Sequence, residues 1–131
     1  MGEINITFGW LWINAGVISG MIMGLWSFAG PVRAPKGLED YSSLPRRFVR
    51  LGHVAFIALS LINILYGQQL ANVNLSPGLM QIGSYAMIFT AIAMPLGCMA
   101  AALKNSLKYF LVLPATAFFI ATLIMSMGVL S

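Results

Sequence analysis

Five residues with polar, aromatic or small side chains recur along the second apolar segment of the sequence. His53, Phe56, Ser60, Asn63 and Gly67 follow one another at alternating steps of three and four. This spacing places them on one stripe of a helix, and the flanking residues are leucine, isoleucine, alanine and valine. Polar groups in lipid need partners, so the stripe is predicted to face protein, with Ser60 and Asn63 as its polar members.

His53 is the single histidine of the chain and its best candidate for binding a cofactor. An imidazole can ligate haem. Because the chain has no second histidine, the other axial ligand would be a methionine, or the haem would be shared between two copies of the chain. It can also handle protons or contact a quinone ring. The structural alternative is a hydrogen bond across helices or to lipid head groups. We expect no cofactor on this last interpretation, and haem or a quinone on the others.

Other reactive constellations are missing from the sequence. No Asp or Glu lies in an apolar segment, which argues against proton-coupled export through a membrane carboxylate. Ser60 and His53 are seven residues apart, about 10 Å along a helix, so they cannot form a nucleophile and base pair. Cys98 is the single cysteine, and Met80, Met87 and Met94 are interpreted as core residues. We therefore predict no catalytic residue and no metal site.

The first apolar segment carries Gly16, Gly20 and Gly24 at intervals of four. On a helix these residues share a face and let another backbone approach closely. We interpret them as a packing face, turned either into the protein or toward another subunit.

The composition shows where these segments must lie. Hydrophobic residues make up 60% of the 131 residues and charged residues 8%, whereas soluble domains carry about 25% charged residues. A chain this short cannot bury so much apolar surface within itself, so lipid is its solvent. Nucleic-acid binding is not expected, because the basic residues lie in two short loops rather than along one face.

The sequence predicts an all-α integral membrane protein, an antiparallel bundle of four transmembrane helices that forms a single domain over residues 1–131. Two polar breaks, at 72–78 and 104–108, separate the later spans. The predicted helices cover about 8–31, 46–70, 78–103 and 108–130, and a cytoplasmic loop covers about 32–45.

Aromatic and proline residues add local expectations. Trp10, Trp12 and Trp26 are placed to anchor helix one at the two membrane interfaces. Pro95 should bend helix three and free a carbonyl that needs a partner. Pro45 suits the first turn of helix two.

All seven Lys and Arg residues fall in the loops between helices one and two and between helices three and four, or at their edges. The positive-inside rule then places the N and C termini both outside, and we expect a multi-pass protein of the bacterial cytoplasmic membrane. Arg46, Arg47 and Arg50 are candidates for contact with phospholipid or with a partner.

Taken together, these patterns favour a small non-catalytic membrane subunit that assembles with other membrane subunits. A respiratory or photosynthetic electron-transfer complex is the class we expect. Two alternatives stay open: a haem- or quinone-contacting subunit that uses His53, and a small homo-oligomeric transporter or channel with Ser60 and Asn63 along its path.

Overall fold

The computed structural model of the chain describes residues 1–27 and 30–131. These residues form four α-helices: α1 (Gly2–Ser27), α2 (Leu44–Leu70), α3 (Pro77–Leu103) and α4 (Val112–Leu130). A 3-10 helix (Asn105–Leu111) leads into α4. Four segments of the described chain are long and apolar enough to cross a membrane. Three of them are α1, α2 and α3, and the fourth is the 3-10 helix together with α4. The prediction of an all-α bundle of four helices, each long and apolar enough to span a membrane, is confirmed.

Helices α2 and α3 form the centre of the bundle. α1 packs mainly on α2 and touches α3, and α4 packs on α3. The backbones of Gly2 and Gly67 are in close contact, and the Ser131 hydroxyl donates to the Asn74 carbonyl oxygen at 3.2 Å. Both chain termini therefore lie at the same end of the bundle as the turn between α2 and α3.

The two central helices begin in the same way. Ser43 precedes α2 and its hydroxyl accepts the N–H of Arg46 at 3.4 Å, with Pro45 in the first turn. Ser76 precedes α3 and accepts the N–H of Leu79 at 3.5 Å, with Pro77 in the first turn. A serine satisfies a free N–H, and a proline at this point loses no helical bond. Pro45 thus lies where the sequence predicts.

α1 begins at Gly2, six residues before the predicted start at residue 8. The polar residues Glu3 and Asn5 lower the hydropathy of this first stretch, so the predicted helix began too late. Asn5 is fully buried against α2 and α3, and this burial accounts for the additional turns. The helix also stops before residue 31, where the chain is no longer helical; residues 28–29 of the predicted span lie outside the described residues.

The fourth span also differs from its prediction. Its α-helix begins at Val112 rather than 108, and the 3-10 helix occupies the preceding residues. Pro114 has no N–H to donate to the carbonyl four residues earlier, so an α-helix through this point would lack a bond. Starting at Val112 places Pro114 in the first turn, where that N–H is not needed.

The loop before α2 contains a turn held by Asp40. Its carboxylate accepts the Ser42 N–H at 2.9 Å and the Ser42 hydroxyl at 2.8 Å. The Ser42 N–H, then its hydroxyl, and more weakly Arg46 and Arg47 hold the pKa of Asp40 below its ordinary value. The turn is therefore stabilised above the ordinary pKa, and this contribution is lost as the pH falls through the lowered pKa.

Candidate functional site

The polar stripe of α2 faces α1. Gly20 lies over the His53 ring, Gly16 over Phe56, and Gly9 over the backbone of Ser60. Ser60 and Asn63 are completely buried. The stripe therefore turns toward protein from Phe56 to Gly67, whereas His53 is partly buried.

Asn63 is the centre of a hydrogen-bond group that joins three helices. Its Oδ1 accepts from Asn5 Nδ2 at 3.0 Å, and its Nδ2 donates to the carbonyl oxygens of Leu59 at 3.0 Å and Met87 at 3.2 Å. Asn5 Nδ2 also reaches the Ser84 carbonyl oxygen at 3.2 Å. The amide of Asn63 is thus fully used for holding α1, α2 and α3 together.

Ser60 is satisfied within its own helix, because its hydroxyl donates to the Phe56 carbonyl oxygen at 2.6 Å. Two other buried oxygens of this region, Asn5 Oδ1 and Ser84 Oγ, have no hydrogen-bond partner in the described part of the chain. Asn5 was not singled out in the sequence. Its signal is a polar residue seven positions before Trp12, on the face of α1 that meets the bundle.

Three glycines spaced by seven let α1 approach α2. A Cβ added to Gly9 would lie 2.6 Å from the Ser60 carbonyl oxygen, and one added to Gly16 would lie 2.6 Å from Ile57 Cγ1. Gly2 contacts Gly67 in the same manner. Of the glycines predicted as a packing face, Gly16 and Gly20 lie against α2, whereas a Cβ on Gly24 would meet no atom within 4 Å.

The sequence predicted Trp12 as an interfacial anchor, whereas in the structure its side chain points into the bundle. Its indole N–H donates to the Ala91 carbonyl oxygen at 2.8 Å, and its ring packs between Phe8 and Phe56. Ala91 stands four residues before Pro95, so its carbonyl is the one that the proline leaves without a helical donor. The freed carbonyl predicted from Pro95 therefore finds its partner on α1, while Trp10 remains mostly exposed.

His53 is bonded to α1 through Ser19, whose Oγ lies 2.9 Å from His53 Nδ1. The same hydroxyl donates to the Gly16 carbonyl oxygen at 2.8 Å. A carbonyl can only accept, and a serine has one hydrogen to give, so with this hydroxyl on Gly16 the Nδ1 of the imidazole donates to Ser19 Oγ. In this tautomer of the neutral imidazole Nε2 is the acceptor, and no described residue donates to it.

The three arginines of the predicted lipid or partner contact have different surroundings. Arg46 is 5% exposed, and its guanidinium donates to the carbonyl oxygens of Leu38 at 2.8 Å, Glu39 at 3.4 Å and Ser27 at 3.4 Å. It also lies over the rings of Trp26 and Tyr41. Arg46 thus fastens the loop onto the ends of α1 and α2. By contrast, Arg47 is exposed and Arg50 is half-buried.

Arg46→Lys is expected to release this loop. An ammonium group has three donors in a compact point charge and cannot reproduce the planar stacking and forked bonds of the guanidinium. We expect limited proteolysis at residues 33–41 to become roughly tenfold faster, which corresponds to about 1.4 kcal/mol. Arg47→Lys, an exposed change of the same type, is the control, and equal cleavage rates in the two variants would contradict the clamp.

A cavity of about 250 Å3 lies between α1 and α2 beside His53. Its polar wall is formed by Arg50, His53, Tyr41 and Ser27, and its apolar wall includes Met23 and Val54. Arg50 donates to the Tyr41 carbonyl oxygen at 3.1 Å and its guanidinium carbon lies 4.0 Å from the centre of the Tyr41 ring. The loop and α2 together thus line one cavity with the Arg50 guanidinium and the His53 imidazole.

Within residues 1–27 and 30–131, no group of three or more His, Cys, Asp or Glu side chains is placed to hold a metal ion. Cys98 and Met87 are both completely buried in the protein interior. The candidate site is therefore the cavity with His53 and Arg50, since the stripe residues Ser60 and Asn63 are occupied by packing.

No protein-family model, no curated protein and no solved structure matches the chain. The function is therefore inferred from the residues of the chain itself.

Proposed function

We propose that this chain is a small non-catalytic subunit of a larger membrane complex, and that Asn14 is part of the surface that meets a partner subunit. Its side chain is exposed on the outside of α1. Around it lie the exposed apolar residues Leu11, Val17 and Ile18. An amide on this apolar face is the single observation that carries the proposal.

Asn14 lies at the middle of α1, about 18 Å from the helix start by helical rise. Its Nδ2 donates to the carbonyl oxygens of Trp10 at 2.9 Å and Leu11 at 3.3 Å. No donor among the described residues bonds to its Oδ1. An amide oxygen at this depth in lipid lacks a partner, and a neighbouring helix that supplies a donor removes that cost.

The class of complex that we propose is a respiratory or photosynthetic electron-transfer assembly. The support is the imidazole of His53 beside a cavity between α1 and α2, since such assemblies exchange protons and electrons with carriers dissolved in lipid. The step from this chemistry to the class of complex is an analogy. A channel is not favoured, because Ser60 and Asn63 are bonded within the bundle.

The proposed orientation has the basic loops in the cytoplasm and both termini outside. Supporting it, the seven Lys and Arg residues all belong to the 31–50 and 104–108 regions, at the end of the bundle opposite to the termini. Short loops rich in Lys and Arg stay on the cytoplasmic side. We place the protein in a bacterial cytoplasmic membrane on this basis.

Affinity purification through a C-terminal tag tests the subunit role. We expect the wild-type chain to co-purify with other integral membrane proteins in fixed stoichiometry. Asn14→Leu should weaken that association roughly threefold to tenfold, the range of one interhelical hydrogen bond. Ile18→Leu, an exposed apolar change one turn away, should leave it intact.

Two outcomes oppose the proposal. Purification of the wild-type chain alone as a homo-oligomer contradicts the subunit role, and equal recovery of partners with Asn14→Leu removes Asn14 from the interface. The same tag reports orientation: protease added outside intact spheroplasts should remove it, and a protected tag would reverse the assigned topology.

A further inference from the structure

The cavity beside His53 is open to a ligand because α1 has glycine there. Gly20 and Gly24 both line it. A Cβ on Gly20 would lie 2.6 Å from His53 Cε1 and 3.2 Å from His53 Nε2. His53 lines the same cavity, so a side chain at residue 20 would cover the Cε1 and Nε2 edge of its imidazole.

Two of the four polar residues that line the cavity, His53 and Arg50, need opposite hydrogen-bond partners. His53 Nε2 is an acceptor, since Nδ1 carries the proton toward Ser19. The Arg50 guanidinium has five N–H donors, and Tyr41 is the described residue that accepts one of them. Residues three apart on a helix have Cβ atoms about 5–6 Å apart. A ligand that bonds to both side chains therefore presents a hydroxyl to His53 and an acceptor oxygen to Arg50.

The size and the lining of the cavity narrow the ligand further. At about 250 Å3 it falls below the roughly 300–1,000 Å3 of sites that enclose a whole ligand. It can take one ring whose tail stays in lipid, and it is small for a haem. Met23 and Val54 supply apolar contacts for such a ring.

We propose that this cavity binds the ring of a membrane-soluble hydroquinone. One hydroxyl donates to His53 Nε2, and the oxygen across the ring accepts from Arg50. A phospholipid head group fits less well, because its phosphate and ester oxygens satisfy Arg50 but offer no donor to Nε2. The inference rests on the proposed electron-transfer class, whose support is the same cavity. Ligand binding by the purified chain and co-purification with partners are separate measurements, so the site and the subunit role can fail separately.

Calorimetric titration of the full chain in phosphatidylcholine nanodiscs with decylubiquinol tests the site. His53→Phe removes the acceptor and should raise Kd roughly tenfold, the effect of one lost hydrogen bond. The oxidised probe, decylubiquinone, has no hydroxyl to donate and should bind the wild-type chain roughly tenfold more weakly than the reduced probe.

A second variant keeps the test independent of any disturbance of the histidine. Gly24→Leu places a side chain in the mouth of the cavity, where a Cβ meets no atom of the protein. It should raise Kd at least about tenfold while helicity and elution volume stay unchanged. Gly78→Leu, also in open space but at the far end of the bundle, should bind like the wild type.

Three results overturn the proposal. These are equal Kd values for Gly24→Leu and Gly78→Leu, equal Kd values for His53→Phe and the wild type, and equal binding of the reduced and oxidised probes. Phosphatidylglycerol in the nanodisc could instead displace decylubiquinol, with the same effect in the His53→Phe variant as in the wild type. That result would assign the cavity to a lipid phosphate bound at Arg50.

Discussion

Replacing Gly9 with alanine is expected to lower the free energy of unfolding by about 3 kcal/mol, the upper end of the cost of overpacking. The new Cβ would lie 2.6 Å from both the Ser60 carbonyl oxygen and Ile64 Cγ1. A backbone carbonyl in a central helix cannot move aside without breaking its own bonds, so α1 must shift away from α2. Titration of the purified chain with sodium dodecyl sulfate, followed by circular dichroism, measures the change.

Gly24→Ala is the matched control for this variant. It makes the same substitution in the same helix, at a position where a Cβ meets no atom within 4 Å. We expect it to be as stable as the wild type or slightly more stable, because alanine favours the helix over glycine by roughly 1 kcal/mol. If Gly9→Ala and Gly24→Ala have the same free energy of unfolding, the close approach of α1 and α2 is not what stabilises the bundle.

Asn63→Leu should destabilise the isolated chain by about 2 kcal/mol. The substitution removes the acceptor of Asn5 Nδ2 and the donor to the Leu59 and Met87 carbonyl oxygens. The group is completely buried, so no water replaces the lost partner of Asn5. The same detergent titration provides the measurement.

Asn14→Leu supplies the contrast, since it is the same change on the exposed side of α1. For the isolated chain its free energy of unfolding should equal that of the wild type within about 0.5 kcal/mol, as for surface substitutions generally. Equal stability of Asn63→Leu and Asn14→Leu would show that the buried amide group contributes nothing to holding the three helices together.

The number and type of the helices could be predicted because lipid imposes a simple rule on sequence. Apolar runs of sufficient length, separated by polar breaks, leave helices as the open-chain solution. The predicted helix bounds were least accurate at the start of α1, where a polar residue is buried against other helices. Asn5 looked like a residue outside the membrane, although it bonds to Asn63 and Ser84 inside the bundle.

The arrangement of the helices could not be predicted from the sequence. Periodicity indicates which residues share a face of a helix, but it does not indicate which other helix packs against that face. His53, Ser60 and Asn63 share a stripe, yet that α1 covers it follows only from the structure. A search for glycines spaced by seven would have found Gly2 and Gly9. Intervals of four drew attention to Gly24, which contacts no atom of the described chain.

The candidate site depends on still longer separations along the chain. His53 was singled out from its residue type, but its protonated nitrogen is assigned by Ser19, which lies 34 residues away. Arg46 and Arg50 are neighbours in sequence with different tasks, one fastening the loop and the other lining a cavity. Charge alone does not distinguish the two arginines. They differ in their contacts, because Arg46 donates to the Leu38 carbonyl oxygen and Arg50 lies against Tyr41.

The bond from Trp12 to the Ala91 carbonyl has a consequence for how the protein is made. A helix carrying Pro95 that entered lipid alone would expose a carbonyl without a donor, a cost that no hydrocarbon chain can relieve. Ribosomes deliver α1 before α3, so the indole that satisfies this carbonyl is already in the membrane when α3 leaves the insertion machinery. The order of the helices along the chain therefore provides the freed carbonyl of Ala91 with a donor that is synthesised earlier, which favours insertion of α3 against α1 over insertion on its own.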